Sequence, residues 1–368
     1  MISRVADHCF WFGRYMERAE STARVLQVTA ALAIDSDLIP QQCWLPVVII
    51  AGEREGFARE CGEDALGDGE AVQEYLVFGK APVSLECSIA AARENARSIR
   101  EVISLEIFES INELHLWIQS PRARLDFDEH RYGFYRHVRR ETQLGLGLLR
   151  GTMLHDAPLD FIWLGVMLER TGQTARILDV HHHAFTTAAS GALEASPVVE
   201  VSLWLSLLRA CYGFESFMKS HRGAVSAQAV SSFLLWEPRF PRSVRHCLRR
   251  ARERLEQIRP QNGRLPALRG QERLRALDAW LEGSAGKALE DEELHQTLTK
   301  VVVETDAACD EIAVELLAVA PQAQQQSQSQ DGQSQSQDGQ SQSQEGQSPS
   351  RNEVQSQSGA GAVPGRNE

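Results

Sequence analysis

The sequence has no run of about 18 apolar residues, which is the length that a membrane-spanning helix needs. Its first residues lead directly into an amphipathic pattern with interleaved acidic and basic residues, whereas a signal peptide has an apolar central region. The sequence therefore predicts a cytoplasmic protein that has neither a membrane span nor a cleaved leader.

Paired cysteine motifs and a basic charge excess are also missing. The seven cysteines are scattered, and no two of them form a Cys-x-x-Cys pair, so we expect reduced, mostly buried thiols. Nearly all basic residues are arginines, because the chain contains only four lysines. A formal net charge of −12 argues against a general nucleic-acid binder, since neutralising phosphates requires a basic surface.

Motifs that name a reaction are absent as well. There is no P-loop, no Gly-x-Gly-x-x-Gly after a strand and no nucleophile elbow. The three histidines 181–183 are consecutive, and consecutive helical residues do not share a face, so they do not predict a preformed metal site. Glu292 and His295 form a single Glu-x-x-His, whereas a di-iron bundle needs two such pairs. We therefore predict no metal and no cofactor, and the catalytic residues stay unknown.

The body of the chain predicts an all-α protein. Apolar residues recur at three- and four-residue spacing, and glycine and proline interrupt them rarely. A continuous apolar stripe runs from Phe12 to Leu26. The pattern predicts one long helix from about Val83 to Trp117 and another from about His130 to Gly151, and it favours a buried helical turn at 47–50 over a strand.

An internal repeat is the most informative feature. The frame Trp-x-Gly-x-x-x-Glu-Arg-x-x-x-Thr-Ala-Arg-x-Leu begins at Trp11 and occurs again from Trp163. Further along, a Pro-x-Ser followed by Ala-Arg-Glu begins at Pro82 and again at Pro241. Because the order is the same in both halves, we interpret the pattern as a duplication.

This repeat sets the expected domain boundaries. Residues 1–151 form the first helical repeat and residues 152–320 the second, and we expect the two to pack into one bundle-like body. Residues 321–368 are rich in glutamine and serine, with an imperfect Gln-Ser-Gln-Ser-Gln-Asp-Gly repeat, and lack the apolar residues that a folded core requires. We expect this tail to be disordered.

The repeated motif supplies the candidate ligand-binding residues. On a helix, Glu17 and Arg24 lie on one face two turns apart, and Glu169 and Arg176 do the same in the second copy. The candidates are Glu17, Arg18, Arg24, Glu169, Arg170 and Arg176. Two interpretations stay open, namely a cleft that binds a polar ligand and buried Glu/Arg pairs that only hold helices together.

Two further features bear on a site. Position 14 is arginine, but its counterpart in the second copy is Val166, so a site there would be asymmetric. The segment 243–254 predicts an arginine-rich helix. Such a helix is either a solvated face or a surface that binds an acidic partner or phosphate.

The two Glu-Arg segments, together with the Ala-Arg-Glu-Asn-Ala-Arg stretch at 92–97, resemble the alpha-E family of bacterial helical domains. The resemblance covers about residues 1–319. It carries no assigned activity, but it implies association with circularly permuted ATP-grasp proteins and transglutaminase-like proteins.

The first functional hypothesis is therefore an accessory component of a peptide- or amide-modifying system, to which the partner contributes the phosphoryl chemistry. The second is a stand-alone enzyme whose cleft uses Glu17 or Glu169 as general base, while Arg24 and Arg176 hold a carboxylate or phosphate. The third is a structural helical scaffold. Oligomeric state is left open.

Overall fold

A computed structural model describes residues 3–35, 38–190, 197–258, 268–285, 287, 289 and 291–317. This part of the chain is all-α, with fifteen α-helices, two short 3-10 or π segments and no strand. The helices are α1 Ser3–Asp35, α2 Pro40–Ala51, α3 Arg54–Cys61, α4 Gly69–Phe78, α5 Leu85–Ser98, α6 Leu105–Ile118, α7 Pro121–Glu129, α8 Arg131–Thr152, α9 Ala157–Ser190, α10 Pro197–Ala210, α11 Phe214–Ser220, α12 Ala227–Trp236, α13 Val244–Ile258, α14 Arg269–Ser284 and α15 Asp291–Ile312. The Gln/Ser tail predicted at 321–368 lies outside the described residues.

The two longest helices, α1 and α9, pack against each other at the centre of the molecule. Their backbones touch at two glycines. A Cβ atom added to Gly13 would lie 2.1 Å from the carbonyl oxygen of Ile162, and one added to Gly165 would lie 2.1 Å from that of Phe10. Glycine is therefore required at both positions, because any side chain would push the helices apart.

Several other helices pack directly on this central pair. Helices α5 and α8 pack against α1, whereas α13 and α15 pack against α9. Two shorter helices contact the central helix of the other half of the chain. Helix α2 packs against α9 as well as α1, and helix α10 packs against α1 as well as α9. Each central helix thus contacts elements from both halves of the chain.

Several local predictions are confirmed. Helix α8 covers the segment predicted from about His130 to Gly151, and residues 47–50 lie inside α2. Five of the seven cysteines are buried. None of the described helices is long and apolar enough to cross a membrane.

The single helix predicted from Val83 to Trp117 is wrong, because the chain forms α5 and α6 with a turn between them. The side chain of Ser104 caps the second helix by accepting a hydrogen bond from the backbone N–H of Ile107. Ile99 and Ile103 in the turn are 0% and 7% exposed. The turn is therefore itself part of the apolar core. Because its residues continue the apolar period of the helices, that period alone did not reveal the break between α5 and α6.

Candidate functional site

The motif residues meet in a buried cluster between α1, α9 and the segment before α13, which we call the Glu-Arg network. Its carboxylates and guanidiniums belong to Glu17, Glu20, Glu169, Arg14, Arg18, Arg24, Arg170 and Arg242. The three glutamates are at most 1% exposed. Because buried charges require partners, the geometry of each pair decides what the network can do.

The carboxylate of Glu169, on α9, is held by two arginines of α1. Arg18 donates from Nε at 2.8 Å and from Nη2 at 3.1 Å, which is the two-pronged geometry of strong Arg–carboxylate pairs. Arg14 donates from Nε at 2.9 Å. The glutamate of the second motif is therefore bound by arginines of the first.

The carboxylate of Glu17, on α1, is held in the converse way. Arg170 of α9 donates from Nε at 2.9 Å and from Nη2 at 2.6 Å. Arg242, which lies just before α13, donates from Nη1 at 2.6 Å. Each Glu-Arg motif thus supplies the partner of the other, and both pairs cross between the two central helices.

Glu20 extends the network on the α1 side. Arg24 donates to its two carboxylate oxygens at 3.2 and 3.3 Å, and Arg242 donates at 2.9 Å. Burial alone would raise the pKa of Glu20, but the two guanidiniums outweigh burial and lower it to about 2. The carboxylate is therefore ionised at neutral pH.

Tyr212 joins three guanidiniums beside Glu20. The guanidinium carbons of Arg24, Arg139 and Arg242 lie 4.9, 4.8 and 5.1 Å from its ring centroid. Tyr212 has a φ of +53°, and among the described residues it is the single non-glycine with positive φ. Such a backbone is costly for a bulky residue and persists only when the surrounding contacts hold it.

The electrostatics of Glu169 follow the same rule as those of Glu20. Burial opposes ionisation, but the positive charges of Arg18 and Arg14 hold the pKa of this carboxyl well below its usual range. A carboxylate in this state accepts protons poorly. The arrangement suits a permanent ion pair better than a general base.

The six predicted candidates separate into two groups. Glu17, Arg18, Glu169 and Arg170 come together in the crossed pairs. Arg24 turns instead to Glu20 and to Ser21, whose hydroxyl accepts a hydrogen bond at 3.1 Å. Arg176 is 25% exposed in its side chain, and its nearest carboxylate is Asp306 at 3.9 Å.

Sequence reasoning missed Glu20 and the part that Arg242 plays in the network. The sequence did contain a signal. When the similar segments of the two halves are aligned, Arg14 corresponds to Val166, and Arg242, the middle residue of Pro-x-Ser, corresponds to Val83. Each half of the chain thus has one arginine where the other has valine. Arg14 binds Glu169 and Arg242 binds Glu17, so these two unmatched arginines are the second partners of the two motif glutamates.

The geometry defines an all-helical domain built around a buried Glu-Arg motif. The family model described as "Alpha-E: A predicted alpha-helical domain with a conserved ER motif" matches residues 1–316. The chain belongs to the Alpha-E family, as the sequence resemblance predicted. No solved structure matches it.

The chain is also similar to curated bacterial proteins. An uncharacterized protein of Mycobacterium bovis is 24% identical over 286 residues, which cover 71% of this chain and 30% of the relative. Uncharacterized proteins of two Mycobacterium tuberculosis strains show the same identity and the same coverage. The chain therefore spans about 30% of the length of these relatives.

Proposed function

We propose that this protein is an accessory component of a peptide- or amide-modifying system, and that its Glu-Arg network is structural. The observation that carries the structural role is the crossed pairing of Glu17 with Arg170 and of Glu169 with Arg18. Both carboxylates are at most 1% exposed, and each is bound by two arginines. A substrate would have to displace these partners before it could reach either carboxylate.

The network is best explained by two tandem repeats, 1–151 and 152–320, that exchange their motif partners. Corresponding helices have corresponding neighbours, since α5 packs on α1 as α13 packs on α9, and α8 on α1 as α15 on α9. Helices α2 and α10 also correspond, because α2 of the first repeat packs on α9 and α10 of the second repeat packs on α1. Neither repeat can satisfy its own motif glutamate, so we expect the two to fold as one body.

The accessory role rests on length and chemistry. In the mycobacterial relatives, the region like this chain makes up 30% of a longer protein, so it is joined there to additional chain. The family resemblance points to circularly permuted ATP-grasp and transglutaminase-like proteins as partners. An ATP-grasp partner would contribute nucleotide binding and phosphoryl transfer, chemistry for which this chain has no P-loop.

The stand-alone enzyme receives less support. That model needs Glu17 or Glu169 as general base, but Glu169 has a pKa well below its usual range because Arg18 and Arg14 outweigh the effect of burial. Efficient bases have pKa values near the working pH. A purely structural scaffold agrees with the network, yet it leaves the relatives' longer chains without explanation.

The test is purification of the tagged full-length chain, at its native expression level, from the bacterium that encodes it. We expect a protein with ATP-grasp or transglutaminase-like sequence to co-elute in a fixed ratio and to be identified by mass spectrometry. The same purification with the Arg97→Gln variant, which changes an exposed side chain, is the matched control and should recover the same partner. Elution of the chain alone, with peptide- or amide-modifying activity of its own, would contradict the proposal.

A further inference from the structure

An open cavity of about 480 Å³ lies where the end of α8, the first half of α9 and α13 meet. Small-molecule sites commonly occupy roughly 300–1,000 Å³. The charged and titratable side chains that line it are Arg150, Arg170, Arg250, Arg254, His155 and His246. No aspartate or glutamate of the described residues lines this cavity. The arginines are therefore the charged groups of this lining, although the whole chain has a net charge of −12.

Arg150 carries the least compensated charge in this wall. The other three arginines each form an ion pair with a carboxylate outside the cavity. Arg150 has no acidic partner within the described part of the chain, and its guanidinium carbon instead lies 4.3 Å from the ring centroid of Trp163. Partial desolvation, and next the positive charges of Arg170 and Arg254, lower the pKa of Arg150, although the residue remains exposed to solvent.

Part of the lining is apolar. Leu159, Trp163 and Met167 line the cavity from one face of α9, and they are only 3–6% exposed. An apolar surface beside the exposed guanidiniums of Arg150 and Arg250 matches a ligand with one anionic group and one apolar or ring-shaped part. Arg170 adds rigidity, because Glu17 fixes its side chain, which is 9% exposed.

We propose that this cavity binds a small organic phosphate, with the phosphate at Arg150 and Arg250 and the apolar part against Trp163. Guanidinium groups match phosphate oxygens in pairs, and several of them around one cavity favour a multiply charged anion over a single carboxylate. This site is separate from the accessory role, and it shares only Arg170 with the Glu-Arg network.

The test is isothermal titration calorimetry of the full-length chain with ADP and with inorganic pyrophosphate. We expect both to bind, and we expect the Arg150→Gln and Arg250→Gln variants each to weaken binding by about tenfold or more, since each removes a charged hydrogen bond. Tighter binding of ADP than of pyrophosphate identifies an organic phosphate as the ligand. Equal affinities overturn the apolar half of the proposal and leave a site for the free anion.

Arg100→Gln is the matched control. Arg100 is exposed and its guanidinium carbon lies 4.4 Å from the ring centroid of Phe108, so the variant loses the same charge and the same kind of ring contact outside the cavity. It should bind both probes as the parent does. Absence of binding by either probe at millimolar concentration, or an equal loss in Arg100→Gln, would overturn the proposal.

Discussion

Replacement of Glu169 by alanine is expected to destabilise the protein by about 3–5 kcal/mol, the range found when one partner of a buried ion pair is removed. The variant leaves Arg14 and Arg18 facing each other without their shared carboxylate, and their side chains are 4% and 14% exposed. Without the glutamate, the two guanidinium charges lie close together, and water cannot replace the lost carboxylate because both side chains are largely buried. Urea unfolding of parent and variant, followed by circular dichroism, measures the change.

Glu94→Ala is the control for this substitution. Glu94 is also a helical glutamate bound by two arginines, Arg93 and Arg97, but its side chain is 50% exposed. Exposed ion pairs contribute about 0–1 kcal/mol, so the control should unfold at nearly the parent midpoint. Equal effects of the two substitutions would mean that burial does not set the strength of the Glu169 pairs. A stable but inactive Glu169→Ala protein would favour the enzyme model.

The second large effect is expected from Gly165→Ala. In most helices this change is stabilising, because alanine has the higher helix propensity. Here the added methyl would lie 2.1 Å from the carbonyl oxygen of Phe10, and a backbone atom cannot rotate away. The central helices must separate, which weakens the crossed Glu-Arg pairs as well, so we expect a loss of about 3 kcal/mol or more in unfolding free energy.

Gly147→Ala makes the comparison within the same protein. Gly147 lies in α8, and nothing lies within 4 Å of the position that its Cβ would take. This variant should gain about 0.5–1 kcal/mol. The opposite signs of the two glycine substitutions, measured by urea unfolding, are the expected result. A neutral or stabilising Gly165→Ala would show that the helix backbones do not touch.

The helices were largely predictable because their signals are local. The apolar period and the flanking residues placed α8 within a residue or so of its observed ends. The turn at 99–104 was not predictable in this way, since Ile99 and Ile103 keep the apolar period while the chain changes direction. Only the cap at Ser104 marks the new helix, and serine is common in many other settings.

The sequence predicted four residues of the crossed pairs, Glu17, Arg18, Glu169 and Arg170, but it predicted neither their pairings nor the parts of Glu20 and Arg242. Helical spacing groups Glu17 with Arg24, whereas the structure pairs Glu17 with Arg170, a residue far away in the chain. Spacing along one helix cannot reveal a partner on another. Valines 166 and 83 stand where the other half of the chain has Arg14 and Arg242. This difference is related to the pairing between helices, but only the contacts of Arg14 and Arg242 in the structure show how.

The most direct measurement of the central claim is a double-mutant cycle between Glu169 and Arg18, built from Glu169→Gln, Arg18→Gln and the double variant. The crossed pairing predicts a coupling of about 2 kcal/mol or more in unfolding free energy, at the upper part of the range for contacting residues. The matched cycle between Glu169 and Arg97, an exposed arginine that pairs with Glu94 and lies outside the network, should give less than about 0.5 kcal/mol. Additivity between Glu169 and Arg18, or equal coupling in the two cycles, would contradict the crossed network.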